Sequence, residues 1–132
     1  MPLFIEKPEV IQAAGNKPKI IEEFFGRIAS GSSEASIGRM KSPMGWVEAG
    51  QRPEFNEYTV VLKGALKVMV GKNRFIVTQG QGILVYSGEW VQYSSPFDGG
   101  AEYISVCVPA FSPDTVHRDL SESQMGQSPS EK

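Results

Sequence analysis

The sequence from Gly50 to Gly64 reads GQRPEFNEYTVVLKG, and the sequence from Gly80 to Tyr93 reads GQGILVYSGEWVQY. In both stretches, glycines stand on either side of a run of β-branched and aromatic residues. Such runs favour β-strands, and glycines favour the tight turns that end them. The two stretches therefore predict strands that enter and leave turns.

The same pattern extends outward in both directions. Residues 19–25 lie between Pro18 and Gly26 and predict a strand, as do residues 35–41 and 102–108. The run at residues 71–74, Gly-Lys-Asn-Arg, is typical of a hairpin turn. Turn signals recur roughly every ten residues, which predicts an all-β barrel or sandwich.

The two ends of the chain predict other structures. Residues 7–14 predict a short helix, with Pro8 at its first position and Gly15 at its end. Ser112 followed by Pro113 predicts a short C-terminal helical turn. Residues 120–132 are mostly Ser, Gln, Gly and Glu, which predicts a disordered tail. We therefore expect one domain over residues 1–119, with a barrel core at about 19–109, and a tail at 120–132.

Composition narrows the class of protein. The chain has 132 residues, a net charge of −2 and one cysteine, Cys107. Its basic residues are scattered, so we expect no nucleic-acid partner. A single cysteine suits a reducing compartment, and no apolar run approaches the ~20 residues of a membrane helix. We expect a cytoplasmic protein without a membrane partner.

These segments resemble the two motifs of the cupin family. Glu57 stands at the glutamate position of the first motif, with Gly64 at the correct spacing after it, and Gly80 and Gly88 fit glycines of the second. The chain's ending at residues 109–119 resembles uncharacterised bacterial cupins and the ethanolamine-utilisation cupins. The resemblance implies a double-stranded β-helix, which is a jelly-roll-like barrel, and a homodimer.

The chain departs from the cupin motifs at the metal ligands. The two histidine positions of the first motif hold Gly50 and Arg52, or Gln51 and Pro53, and the histidine position of the second holds Val91. The usual centre of three histidines and a glutamate is therefore disfavoured. Weak candidates for binding a divalent metal are Glu57 and the single histidine, His117.

Candidate site residues follow from the resemblance and from side-chain chemistry. Burial of a carboxylate is costly unless the carboxylate is paired or binds a ligand. An inward Glu57 is therefore a candidate catalytic residue. His117 is a second candidate acid or base. An aromatic-lined mouth with a few polar groups is how small-molecule sites are built. The ligand-binding candidates are Trp46, Gln51, Arg52, Glu57, Tyr86, Trp90 and Tyr93.

Three functions remain open at this level. The first is a cupin that binds a small polar metabolite, such as a carboxylate or a sugar, in the barrel mouth near Glu57. The second is a metal-assisted lyase or isomerase that uses Glu57 as ligand or base. The third is a non-catalytic structural dimer with a filled barrel, in which the strand carrying Phe24 and Phe25 supplies the interface. A cavity beside Glu57 would argue against the third.

Overall fold

The fold is built entirely from β-strands. The computed structural model describes residues 1–119. Within them lie nine strands: β1 (Glu9–Ile11), β2 (Ile20–Phe25), β3 (Ser36–Ser42), β4 (Trp46–Val47), β5 (Asn56–Val70), β6 (Asn73–Thr78), β7 (Gly82–Val85), β8 (Val91–Ser95) and β9 (Ala101–Val108). All pairings between these strands are antiparallel. The all-β prediction is confirmed.

One strand holds the architecture together. The strands run in the order β1-β2-β3-β9-β5-β8-β4, and β6 and β7 also pair with β5. The first half of β5 pairs with β9 and β7, and its second half pairs with β6 and β8. β5 therefore passes from one layer of a curled sheet to the other, as expected for a jelly-roll-like barrel.

The passage between the layers occurs at Gly64. This residue has a φ of 76°, and a Cβ built on it would lie 2.1 Å from the carbonyl oxygen of Gly100. Only glycine tolerates both the positive φ and the close approach of another backbone. β5 is therefore a single 15-residue strand that bends at Gly64.

Side chains along β5 alternate between the interior and the outside. Thr59 and Val61 are buried, whereas Tyr58, Val60 and Leu62 are exposed. This is the period of two expected for a strand with one covered face. The inward residues of β5, β7, β8 and β9 form the main core with Trp46. The same alternation aims Glu57 inward, because it shares the face of Thr59.

The predicted short helices are absent from residues 1–119. Residues 9–11 instead form strand β1, which pairs with β2 so that Val10 lies opposite Glu22. A one- or two-turn helix is not stable alone, and here the edge of β2 offers backbone partners. At the C-terminal end, Ser112 caps a single hydrogen-bonded turn: its hydroxyl accepts from the Asp114 N–H, and its carbonyl accepts from the Thr115 N–H.

The predicted tail, residues 120–132, lies outside the described residues. Across residues 1–119, no helix has the length and apolar character needed to cross a membrane.

Candidate functional site

The inward-facing side chains enclose a cavity of about 390 Å³. Its walls combine charged and polar side chains with an apolar surface from β2, β3 and residues 111–113. The residues that matter for its chemistry are Lys19, Glu48, Gln51, Glu57, Tyr93 and Arg118. A cavity that joins apolar walls to a few polar groups is the usual form of a small-molecule site.

Glu57 stands in the wall of this cavity. It lies opposite Val85 of β7 and Cys107 of β9, so neighbouring strands hold its backbone on both sides. Burial, and then the negative charge of Glu48, raise the pKa of Glu57 to about 7, against the opposing effects of Lys19 and of hydrogen bonds from Tyr93 and Ser105. A carboxyl with this pKa can both give and accept a proton near neutral pH.

Tyr93 is the direct partner of Glu57. Its hydroxyl donates a hydrogen bond of 3.2 Å to Oε1 of Glu57. Burial and the nearby carboxylates raise the pKa of Tyr93 well above its usual value, so the phenol stays protonated and remains a donor. Tyr93 and Val91 of β8 are both buried, so their side chains point inward.

Lys19 places a positive charge in the cavity. Its ammonium lies 4.1 Å from the ring centre of Trp46 and 5.2 Å from that of Tyr103. Burial alone would lower the pKa of Lys19, but attraction to Tyr103, Glu48 and Glu57 raises the pKa overall. Lys19 is therefore a cation that two aromatic rings hold in place.

Glu48 is the second carboxylate of the cavity. Its side chain is buried, with a fractional exposure of 8%. Burial raises the pKa of Glu48, and the charges of Lys19 and Arg118 oppose that rise. The Arg118 guanidinium lies over the ring of Phe111, 5.7 Å from its centre. Glu23 also lines the cavity, and its Oε2 accepts hydrogen bonds from the backbone N–H groups of Ile28 and Ala29. The wall therefore carries three carboxyl groups and two basic side chains.

Gln51 contributes an unusual polar group. Its backbone pairs with Val91 on one side and Arg118 on the other, and its side chain is 4% exposed. Within the described chain, the buried Oε1 of Gln51 has no hydrogen-bond partner. Buried polar groups are nearly always paired, and an unpaired one costs about 1–3 kcal/mol. Among residues 1–119, the buried side-chain atom without a partner therefore belongs to the cavity wall.

Three of the seven predicted ligand-binding residues therefore line the cavity: Gln51, Glu57 and Tyr93. Of the other four, Trp46 belongs to the buried core and donates its indole N–H to the carbonyl of Ala14. It reaches the site only through Lys19, whose ammonium lies over its ring.

The remaining three lie away from the cavity. Arg52 is exposed and points to the carbonyl of Gly88. Tyr86 is 59% exposed, and the indole of Trp90 donates to Asp119. All three belong to loops that fold over the outside of the barrel end, which spacing along the motif does not reveal.

His117 also lies outside the cavity. It is an exposed residue with a φ of 50°, and its ring contacts the carboxylate of Glu54. Its backbone carbonyl accepts from the Arg52 N–H. The structure therefore does not bring His117 to Glu57.

The candidate residues named from the sequence do not include Lys19, Glu48 or Arg118. Lys19 had one usable signal: it shares the inward face of β2 with Ile21 and Glu23 under a period of two. Glu48 and Arg118 had none, because they lie in irregular segments whose direction is set by distant contacts.

The residues present do not fit the metal centre that the fold implies. Residues 1–119 contain no group of three His, Cys, Asp or Glu side chains that could hold a metal ion. Of the usual ligands only Glu57 remains, and its neighbours are Tyr93 and Ser105. A phenol and an alcohol are poor substitutes for imidazole at such a centre.

Comparison with known proteins places the chain in a family. A family model described as the AraC-like ligand binding domain matches residues 54–131. The endoribonuclease YbeY of Myxococcus xanthus is 42% identical over 101 residues, which is 76% of this chain and 34% of that protein. The chain thus spans about a third of the length of that relative.

Solved structures agree on the fold. The EutQ protein of Clostridium difficile has a TM-score of 0.58 at 21% identity, covering 72% of this chain and 66% of its own. A structure described as a predicted oxalate decarboxylase from Thermotoga maritima has a TM-score of 0.67 at 17% identity, covering 81% and 99%. With its curled antiparallel sheet, its Glu57 motif and the family match, this chain is a small cupin that belongs to the AraC-like ligand-binding domain family.

Proposed function

We propose that this domain binds a small polar organic molecule in the cavity beside Glu57, without a three-histidine metal centre. The observation that carries the proposal is the cavity itself, of about 390 Å³, with the hydrogen-bonded pair of Glu57 and Tyr93 in its wall. A barrel whose only task was structural would fill this space with side chains.

Neutral and charged polar groups in the wall support a polar ligand. Tyr93 donates a hydrogen bond to Glu57, and Lys19 and Arg118 carry positive charges. The unpaired Oε1 of Gln51 adds an acceptor that a bound molecule or a side-chain movement would satisfy. The apolar wall, which includes Ile21, Met40, Phe55 and Phe111, would hold the carbon skeleton.

The test is ligand binding with and without the Glu57 carboxylate. Thermal-shift and calorimetric titrations of a panel of small carboxylates, polyols and sugars should find a ligand for the natural protein. Glu57→Gln should weaken it about tenfold or more, because a hydrogen bond to a charged group is worth about 1.5–3 kcal/mol. Glu34→Gln, at an exposed position, is the matched control. Unchanged affinity in Glu57→Gln for every ligand found would show that the proposed site is wrong.

Catalysis at the same site is the second candidate function. The specific observation in its favour is the pKa of Glu57, about 7, beside the neutral phenol of Tyr93. Such a pair can move a proton to or from a carbon or oxygen atom, as a lyase or isomerase requires. This candidate predicts that a ligand of the cavity is converted at a rate that falls in Glu57→Gln. Binding without turnover would contradict the catalytic function and leave only the binding function.

A further inference from the structure

Lys19 is a cation that lines the cavity and has no ion-pair partner within residues 1–119. Among residues 1–119 the ion pairs are Arg39 with Glu22 and His117 with Glu54, and Lys19 takes part in neither. The rings of Trp46 and Tyr103 hold its ammonium, at 4.1 Å and 5.2 Å from the ring centres. An ammonium has three N–H donors, so donors remain for a bound molecule.

The carboxyl groups of the cavity form no ion pair with Lys19. Glu48 and Glu57 attract Lys19 without coming within ion-pair distance of it. The third, Glu23, accepts hydrogen bonds from the backbone N–H groups of Ile28 and Ala29 instead. The Lys19 ammonium can therefore pair with one negatively charged group of a ligand, and Arg118 adds a second positive charge to the wall.

The apolar wall restricts the ligand further. A free inorganic anion would leave Ile21, Met40, Phe55 and Phe111 uncovered, whereas a molecule with a hydrocarbon body would cover them. We propose that Lys19 is the anion-recognising residue of the cavity, and that the ligand is a small monocarboxylate with an apolar body. This inference rests on the proposed binding function and deepens it.

The test uses three probes of one shape and different charge: benzoate, benzyl alcohol and benzylamine. Each is titrated by calorimetry into the natural protein, into Lys19→Met, which keeps an unbranched side chain and removes the charge, and into Lys17→Met, an exposed control. We expect benzoate to bind more tightly than the other two probes. Its affinity should fall about tenfold or more in Lys19→Met and stay unchanged in Lys17→Met.

A second measurement does not depend on a variant. The ¹⁵N resonance of the Lys19 ammonium in the natural protein should shift during the benzoate titration and stay in place with benzyl alcohol.

Several results would overturn the inference. Equal binding of benzoate and benzyl alcohol, unaffected by Lys19→Met, would leave the cavity a binding site and remove the anion role of Lys19. Preference for benzylamine would assign recognition to the glutamates instead. Absence of benzoate binding at millimolar concentration would also refute it, and the binding function would then depend on the Glu57→Gln panel alone.

Discussion

The hydroxyl of Tyr93 donates a hydrogen bond to Oε1 of Glu57 over 3.2 Å and thereby joins β8 to β5 inside the barrel. The two residues are 36 positions apart in sequence. Burial keeps the phenol neutral and raises the pKa of Glu57 to about 7, so the carboxyl, and not the phenol, gains and loses a proton near neutral pH.

Stability should decrease as the pH rises from about 4.5 to about 7. The pKa of Glu57 is raised from 4.5 to about 7 in the folded protein, so the folded state binds more protons in this window than the unfolded state. The stabilising contribution is complete below pH 4.5 and is lost as the pH rises through 7. A shift of this size corresponds to about 3 kcal/mol.

Chemical denaturation at a series of pH values measures this effect. Glu57→Gln should remove most of the decrease, and the rest belongs to Glu48, whose pKa is raised in the same direction. Glu34→Gln should keep the full decrease. The same pH slope in the natural protein and in Glu57→Gln would contradict the assignment.

Tyr93→Phe should raise the pKa of Glu57 above 7. The hydrogen bond from Tyr93 favours the ionised carboxylate, and its loss leaves burial less opposed. Carboxyl ¹³C NMR titration follows the change directly. Tyr86→Phe removes an exposed hydroxyl and should leave the titration of Glu57 as it was. A lower pKa in Tyr93→Phe would refute the role of the hydrogen bond.

Gln51→Met should stabilise the protein without ligand and weaken binding. The substitution removes a buried oxygen that has no partner within residues 1–119, at nearly constant side-chain length. We expect a gain of about 1 kcal/mol in the free energy of unfolding. Thermal denaturation and calorimetry together separate the two effects. Loss of stability would show that the Gln51 amide is satisfied in solution.

Gly64→Ala should destabilise the protein by several kcal/mol, about 3 or more, since strain and overpacking add. The new Cβ would meet the Gly100 carbonyl oxygen at 2.1 Å, at a residue with positive φ. Gly31→Ala is the matched control, since Gly31 also has positive φ but open space around it. Denaturant titration should show a much smaller loss for Gly31→Ala. Equal losses would mean that the close approach of β5 to Gly100 is unimportant.

A homodimer is the last prediction. The outer face of β5 exposes Tyr58, Val60 and Leu62, and β2, which carries Phe24 and Phe25, lies in the same sheet beyond β9 and β3. An apolar sheet face of this kind suits contact with a second copy. Sedimentation velocity should find a dimer at micromolar concentration. Val60→Glu should give a monomer, whereas Lys72→Glu in the β5–β6 hairpin should not. A monomer in the sedimentation of the natural protein would refute this prediction.

The sequence by itself determined the all-β class and most of the strands, and it predicted an inward Glu57. These follow from local patterns: alternation along a strand, and glycines where the backbone takes a positive φ, as at Gly64. Local patterns failed at the chain ends, where residues 9–11 found a pairing edge on β2 and became a strand. Backbone pairing with a distant segment overrides weak helix signals.

Only the tertiary structure decided the composition of the cavity. Lys19, Glu48 and Arg118 come from the segment before β2, the segment after β4 and the last part of the described chain. Their convergence depends on the curl of the sheet, and the pKa of Glu57 depends on that convergence and on burial. Arg52, Tyr86 and Trp90 belong to the two motifs yet lie outside the cavity, because all three stand in loops between the strands of the barrel.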